Sequence, residues 1–330
     1  MTSLLTQSPQ LRRHRGLGGA AAPIAAIAVL AVLLLVLSAC SRGDESRKAS
    51  GSADNGSARI AALGLGDADT LLSLGIKPVA VAPWGAQGDI DPSGVGPWSK
   101  DLLGDAKPEP IYNTAQGITS QILEKVTATN PDQIIAVNQA VDPQAKKSLE
   151  TIAPTVTRPA QFTDWQVPWE DQVTTIAKAV GKESEGKAQI DKTKQAFAEF
   201  RKQHPELQGK RAAVVMPYQG KIGLYTSGDG RGQFVKNLGF EIPAELEGDG
   251  KQFYRDIAPE NYSDLNSVDY LFVLDYKGAA GALKQDSTFN NLDVVRSGKV
   301  HYLSENVGNA MSMPNPVTIP WAIQKFDAEL

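Results

Sequence analysis

The chain has 330 residues, 42% hydrophobic and 21% charged, a globular composition with room for two cored lobes that excludes disorder for most of its length. The formal net charge is -4; setting aside the first 39 residues, whose charges are Arg12, Arg13 and Arg15, leaves 30 basic against 37 acidic residues. A mildly acidic body of this kind argues against a nucleic-acid partner.

Residues 1–39 read as an export signal. Arg12, Arg13, His14 and Arg15 form a basic segment, and the apolar run from Ile24 to Leu37 is short for a membrane span. The run ends in Leu37-Ser38-Ala39-Cys40, which resembles the bacterial lipobox, where a signal peptidase cuts before a cysteine whose thiol takes a diacylglycerol. Cys40 is the single cysteine of the chain, so an intramolecular disulfide and a cysteine metal cluster are both excluded, and lipidation is its natural use. Residues 40–57, rich in Ser, Gly and charge, form a flexible tether.

Folding is expected to begin near residue 58, with an N-terminal α/β lobe over 58–166. Ile60 to Leu63 reads as a strand, Asp67 or Asp69 as the cap of a helix carrying Leu71, Leu72 and Leu74, and Val79 to Ala82 as a second strand parallel to the first. Trp84 lies just past that strand, where ligands bind in open α/β sheets. Pro110 to Asn113 is a further short strand, a helix starts in Gly117 to Leu123, Gln133 to Val137 is a buried strand ending in Asn138-Gln139, and a helix closes over Ser148 to Ile152. Residues 167–207 form a helical connection. Its main part, Gly181 to Leu207, places Ile190, Thr193, Phe197, Phe200 and His204 on one stripe of a long helix. A C-terminal α/β lobe, 208–330, follows. Its expected strands are Arg211 to Met216, Ile222 to Tyr225, Tyr270 to Asp275 and a last one ending at Leu303; its helices are Gly232 to Leu238, Ser263 to Leu265 and Pro320 to Leu330.

Six segments occur in order: ALGLGDADTLLSLGIKPVAV, ITSQILEKVTATNPDQIIAV, WEDQVTTIAKAVGKESEGKAQI, GDGRGQFVKNLGF, APENYSDL and VVRSGKVHYL. Together they resemble the iron-siderophore solute-binding lipoproteins of ABC importers, over residues 58 to 330. The resemblance implies an α/β fold of two Rossmann-like lobes joined by one long backbone helix, of the class III solute-binding type, with a cleft that holds one ferric chelate. It implies a monomer on the outer face of the cell membrane, anchored through Cys40, that delivers its ligand to an ABC permease dimer. In this family each lobe offers the permease an acidic residue, and the matching positions here are Asp69 and Glu260.

A ferric siderophore brings its own iron ligands, so no cofactor is expected. The protein has to supply flat apolar surface and a few donors for the anionic oxygens. By their places at strand ends and loops, the candidates are Trp84, Trp98, Asn138, Trp165, Tyr218, Tyr225, Arg231, Phe253, Tyr254, Arg255, Tyr276 and Met311, whereas Trp169 and Trp321 sit on helical patterns and read as packing. The acidity and the aromatic-rich candidates lean toward a hydroxamate chelate. Haem is the alternative within the family, with Tyr218 or Tyr225 as axial ligand. A secreted hydrolase lacks support, because the sequence has no Gly-x-Ser-x-Gly elbow and the mature chain keeps only His204 and His301.

Overall fold

The computed structural model describes residues 58–248 and 252–330. The export signal, the lipobox cysteine Cys40 and the tether lie outside the described residues.

The first sheet contains β1 (Ile60–Ala62), β2 (Ala80–Val81), β3 (Glu109–Pro110), β4 (Gln133–Ala136) and β5 (Thr155–Thr157), all parallel, in the order β3-β2-β1-β4-β5. Its strands read as short apolar runs because both faces are covered. Ile60, Ala62 and Ile135 pack on the side of helices α1 (Asp67–Ser73) and α4 (Trp169–Ala179). Ala61, Ala80 and Ile134 face Ile122, Val126 and Leu149 from α2 (Ser120–Ala128) and α3 (Pro143–Glu150). Strand order reverses at β1, so the crevice beyond the carboxyl ends of β1, β2 and β4 is where this topology places a ligand.

Helix α5 (Glu183–Gln203) supplies the link. Its 21 residues extend about 31 Å at ~1.5 Å per residue. Near its start, Gly186 lies so close to α4 that an added Cβ would be 2.4 Å from the Ala177 Cβ, and Gln189 donates to the Ser73 carbonyl of the first lobe at 3.1 Å. Further along, Phe197 and Phe200 enter the core of the second lobe, against Phe234 and Phe326. One helix therefore packs on both lobes.

The second sheet runs β10-β9-β6-β7-β8, from β6 (Ala212–Tyr218), β7 (Lys221–Tyr225), β8 (Tyr254–Ile257), β9 (Tyr270–Asp275) and β10 (Val300–Ser304). β6, β9 and β10 are parallel, whereas β7 and β8 are antiparallel additions. Gln219 and Gly220, at φ 48° and 77°, make the two-residue turn from β6 to β7, both in the left-handed region that such hairpins require. Helices α6 (Gly230–Asn237), α7 (Glu305–Ser312) and α8 (Thr318–Asp327) cover the face built from Val214, Phe272 and Leu274. The chain is thus an α/β protein of two lobes joined by a long helix.

Three local details differ from the sequence reading. Strand β3 ends at Pro110, because Asn113 turns into the left-handed region at φ 65°. Strand β8 and helix α7 were not anticipated. Helix α1 is entered through Gly66 at φ 76° and has no side-chain cap, so neither Asp67 nor Asp69 is its capping residue.

Candidate functional site

Asp67 turns its carboxylate toward the strand ends. Oδ2 accepts from the backbone N–H of Gly64 at 3.0 Å and of Val137 at 2.9 Å; Oδ1 accepts from the Gln172 amide at 2.7 Å and more distantly from the N–H of Asn138. One buried side chain thereby joins the ends of β1 and β4 to helix α4. Burial pushes its carboxyl up to about 6 in spite of these donors.

Beyond these strand ends the lobes enclose a cavity of about 370 Å³. The first lobe contributes Leu65, Pro83 to Ala86 and 113–116; the second contributes Met216, Tyr225, Arg231, Leu274, Tyr276 and three residues of α7. Most of this wall is apolar or aromatic. Trp84, half-buried beyond β2, donates from Nε1 to Oδ1 of Asn309 on α7 at 2.5 Å, a bond from one lobe to the other.

Arg231 is the polar centre. It sits in the first turn of α6, where Asp229 accepts from its N–H at 2.8 Å and holds Nη1 with both carboxylate oxygens at 3.0 Å. Two glycines allow this placement: a Cβ on Gly232 would lie 2.0 Å from the Thr226 carbonyl oxygen, and one on Gly230 would lie 2.8 Å from that of Ser312. The guanidinium stacks 4.1 Å from the Tyr225 ring centroid and 5.8 Å from that of Trp84. The residue is only 7% exposed, and its Nε has no hydrogen-bond partner. An unsatisfied buried donor costs stability, and the guanidinium as a whole, which lines the cavity, is the cationic group available to an anionic ligand oxygen. Burial raises the Tyr225 phenol above its ordinary value, so it stays protonated, 3.7 Å from the Met216 sulfur.

A smaller chamber of about 250 Å³ adjoins this cavity and shares Trp84, Glu305 and Asn309 with it. Trp98 and Asp69 line its inner end, and Asp89, Asp91 and Lys100 its outer side. Across the mouth, Lys277 pairs with Asp89 at 2.7 Å, a second bond between the lobes. Among the described residues no group of three or more His, Cys, Asp or Glu side chains is placed to hold a metal ion, and no helix is long and apolar enough to cross a membrane.

The model of a family described as periplasmic binding protein matches residues 60–307. The chain belongs to the periplasmic binding protein family. It is a binding protein, not an enzyme. Among its relatives, an Fe(3+)-citrate-binding protein of Bacillus subtilis, YfmC, is 27% identical over 246 residues, 74% of this chain and 72% of that protein. A periplasmic solute binding protein of Mycobacterium smegmatis superposes with a TM-score of 0.72 at 26% identity, over 82% of this chain and 91% of the other. The iron uptake ABC transporter substrate-binding protein PiaA of Streptococcus pneumoniae superposes with a TM-score of 0.66 at 25% identity, over 81% and 90%.

Within this family frame, Trp84, Tyr225, Arg231 and Tyr276 share the larger cavity, and Trp98 stands in the smaller chamber. Other candidates lie elsewhere. Trp165, Phe253, Tyr254 and Arg255 line a separate open groove between 163–166 and 252–256; Arg255 is engaged there by the Glu245 carbonyl and Asp264. Tyr218 is 53% exposed at the β6–β7 turn. Met311 is fully buried in the core of the second lobe, because the inner face of α7 points away from the cavity at that position. Asn138 is buried behind the wall and donates to the Leu65 carbonyl at 3.3 Å.

Asp69 cannot present a carboxylate to a partner. It is 6% exposed and accepts from Trp98 Nε1 at 3.1 Å, from the Ser99 hydroxyl and, more distantly, from the Asn315 amide. Trp98 in turn meets Trp321 of α8 edge to face at 5.5 Å. Asp69 is therefore a pin between the lobes. Glu260 is exposed at the start of the 3-10 helix Pro259–Ser267. Wall residues absent from the sequence candidates include Leu65, Met216, Glu305 and Asn309. Leu65, Met216 and Glu305 lie at or soon after the ends of expected strands, which was the sequence signal on offer; Asn309, inside a helix that was not anticipated, had none.

Proposed function

We propose that the protein is the extracytoplasmic solute-binding component of an ABC importer and that the larger cavity takes a ferric siderophore of hydroxamate type. The observation that carries this reading is Arg231, whose guanidinium is stacked between Tyr225 and Trp84 on the wall of a largely apolar cavity. Aromatic surface suits the organic arms of a chelate that has already enclosed its iron, and the guanidinium donates to one of the iron-bound oxygens. The relatives named for Fe(3+)-citrate binding and for iron uptake support iron as cargo.

Charge separates the chelate classes. Arg231 is neutralised by Asp229, and Glu305 adds a negative charge, so the wall does not complement a triply anionic catecholate complex. Ferric citrate is the second reading, favoured by the relative from B. subtilis. Haem is disfavoured at Tyr225, whose raised phenol resists the deprotonation that iron ligation needs.

The resemblance implies an acidic residue on each lobe for delivery to a permease, and burial removes Asp69 from that role. Glu260 stands on the helix that leads into β9, the strand beside β6. The corresponding helix of the first lobe, α2, leads into β4 beside β1 and exposes Glu124. Glu124 and Glu260 form the proposed docking pair, and Cys40 carries the lipid anchor.

The test is a titration of intrinsic tryptophan fluorescence with ferric hydroxamates, ferric catecholates, ferric citrate and haem. The reading expects a ferric hydroxamate to quench Trp84 with a sub-micromolar midpoint, more than about 8 kcal/mol of binding. Saturation by ferric citrate alone, or by haem alone, would replace it.

A further inference from the structure

The two chambers carry a charge imbalance that the iron reading does not use. In the larger chamber Arg231 is matched by both oxygens of Asp229. In the smaller one Lys100 is matched by Asp91 at 2.5 Å, and Asp89 by Lys277 at 2.7 Å. Asp69, at the inner end, has no cationic partner but is held by donors from Trp98, Ser99 and Asn315. Glu305 remains: it is half-buried, lines both chambers at their junction, and its carboxylate has neither a hydrogen bond nor a salt bridge to any described residue; Lys277 feels it only through space. The smaller chamber is below the roughly 300–1,000 Å³ of ordinary ligand sites, whereas the larger lies within that range. It is therefore an annex to the main cavity.

An annex entered past a lone carboxylate and the Trp84 ring suits one kind of group. We infer that the ferric hydroxamate bound here carries an alkylammonium arm, which enters the smaller chamber and pairs with Glu305 while the iron-bound oxygens face Arg231. The inference rests on the hydroxamate reading and narrows it. An ammonium supplies three donors to the carboxylate, and an aromatic face at the entrance favours a cation. An arm capped as a neutral amide leaves Glu305 desolvated without a counter-charge, which is where the discrimination arises.

The experiment uses the full chain in mild detergent and two ferric complexes of one linear trihydroxamate, identical except that the terminal amine is free in one and N-acetylated in the other. Wild type should bind the amine form about 10- to 150-fold more tightly, the range of a charge-assisted hydrogen bond. Glu305→Gln should bring that ratio close to one, with a melting temperature that confirms folding. Equal binding of both complexes by wild type overturns the inference and leaves the hydroxamate reading standing. A preference that survives in Glu305→Gln also overturns it. Binding of neither complex overturns the hydroxamate reading and the inference together.

Discussion

Asp67→Asn probes the buried carboxylate that ties the ends of β1 and β4 to α4. Burial raises this carboxyl from 3.8 to about 6, although its oxygens face three close donors and a longer one. At 1.36 kcal/mol per pH unit the displacement corresponds to about 3 kcal/mol. Because the folded state holds this proton more tightly than the unfolded chain, the stabilisation is complete below about pH 4 and is lost as pH rises through about 6. Other groups titrate in the same window, so the quantity to follow is the stability of wild type minus that of Asp67→Asn, from urea unfolding between pH 4 and 7. That difference should fall by about 2.5 kcal/mol across the window. At every pH the amide NH2 of the variant opposes donors that the carboxylate accepted, so the β1 and β4 ends lose hydrogen bonds, each unsatisfied group costing about 1–3 kcal/mol. A difference that stays flat or rises with pH would refute the reasoning, because it would mean that the donors outweigh burial.

Arg231→Gln should weaken a ferric hydroxamate by about 1.5–3 kcal/mol, roughly 10- to 150-fold, if the guanidinium donates to it; Tyr254→Ala, in the separate groove, should leave the midpoint unchanged, and the reverse pattern in fluorescence titrations would move the ligand to that groove. Glu124→Lys combined with Glu260→Lys should bind ligand and melt like wild type yet abolish uptake by the cognate permease; normal uptake of labelled ferric chelate would reject the docking pair. Cys40→Ala should no longer partition into the detergent phase of a cloud-point separation. Unchanged partitioning would refute the lipid anchor.

The fold was legible where burial imposes a simple pattern. Thr193, Phe197 and Phe200 mark the inner face of α5 at helical spacing, and the continuous apolar runs of β6 and β9, short for buried helices, read as strands covered on both faces. Strand β8 was hidden because it is an edge: Tyr254, Arg255 and Asp256 are not buried and show no apolar run. Helix α7 was hidden by Gly308 in its interior, which lets the helix approach Leu274. The site was legible in part for the same reason that loops at strand ends carry ligands, which placed Trp84 and Tyr276 on the wall. Tyr218 satisfied that rule too, but the hairpin turn carries it into solvent. Asp69 failed because the groups that bury it, Trp98, Ser99 and Asn315, arrive from distant parts of the sequence. The lone charge of Glu305 emerges only once its neighbours are seen to be paired.

Locating the iron is the most direct test of the central claim. Crystals of the protein grown with a ferric hydroxamate should give one anomalous iron peak in the cavity between Trp84, Tyr225 and Arg231, with a chelate oxygen within hydrogen-bond distance of the Arg231 guanidinium. An iron peak in the groove of Trp165, Phe253 and Tyr254, or iron ligated directly by protein side chains, would contradict the account.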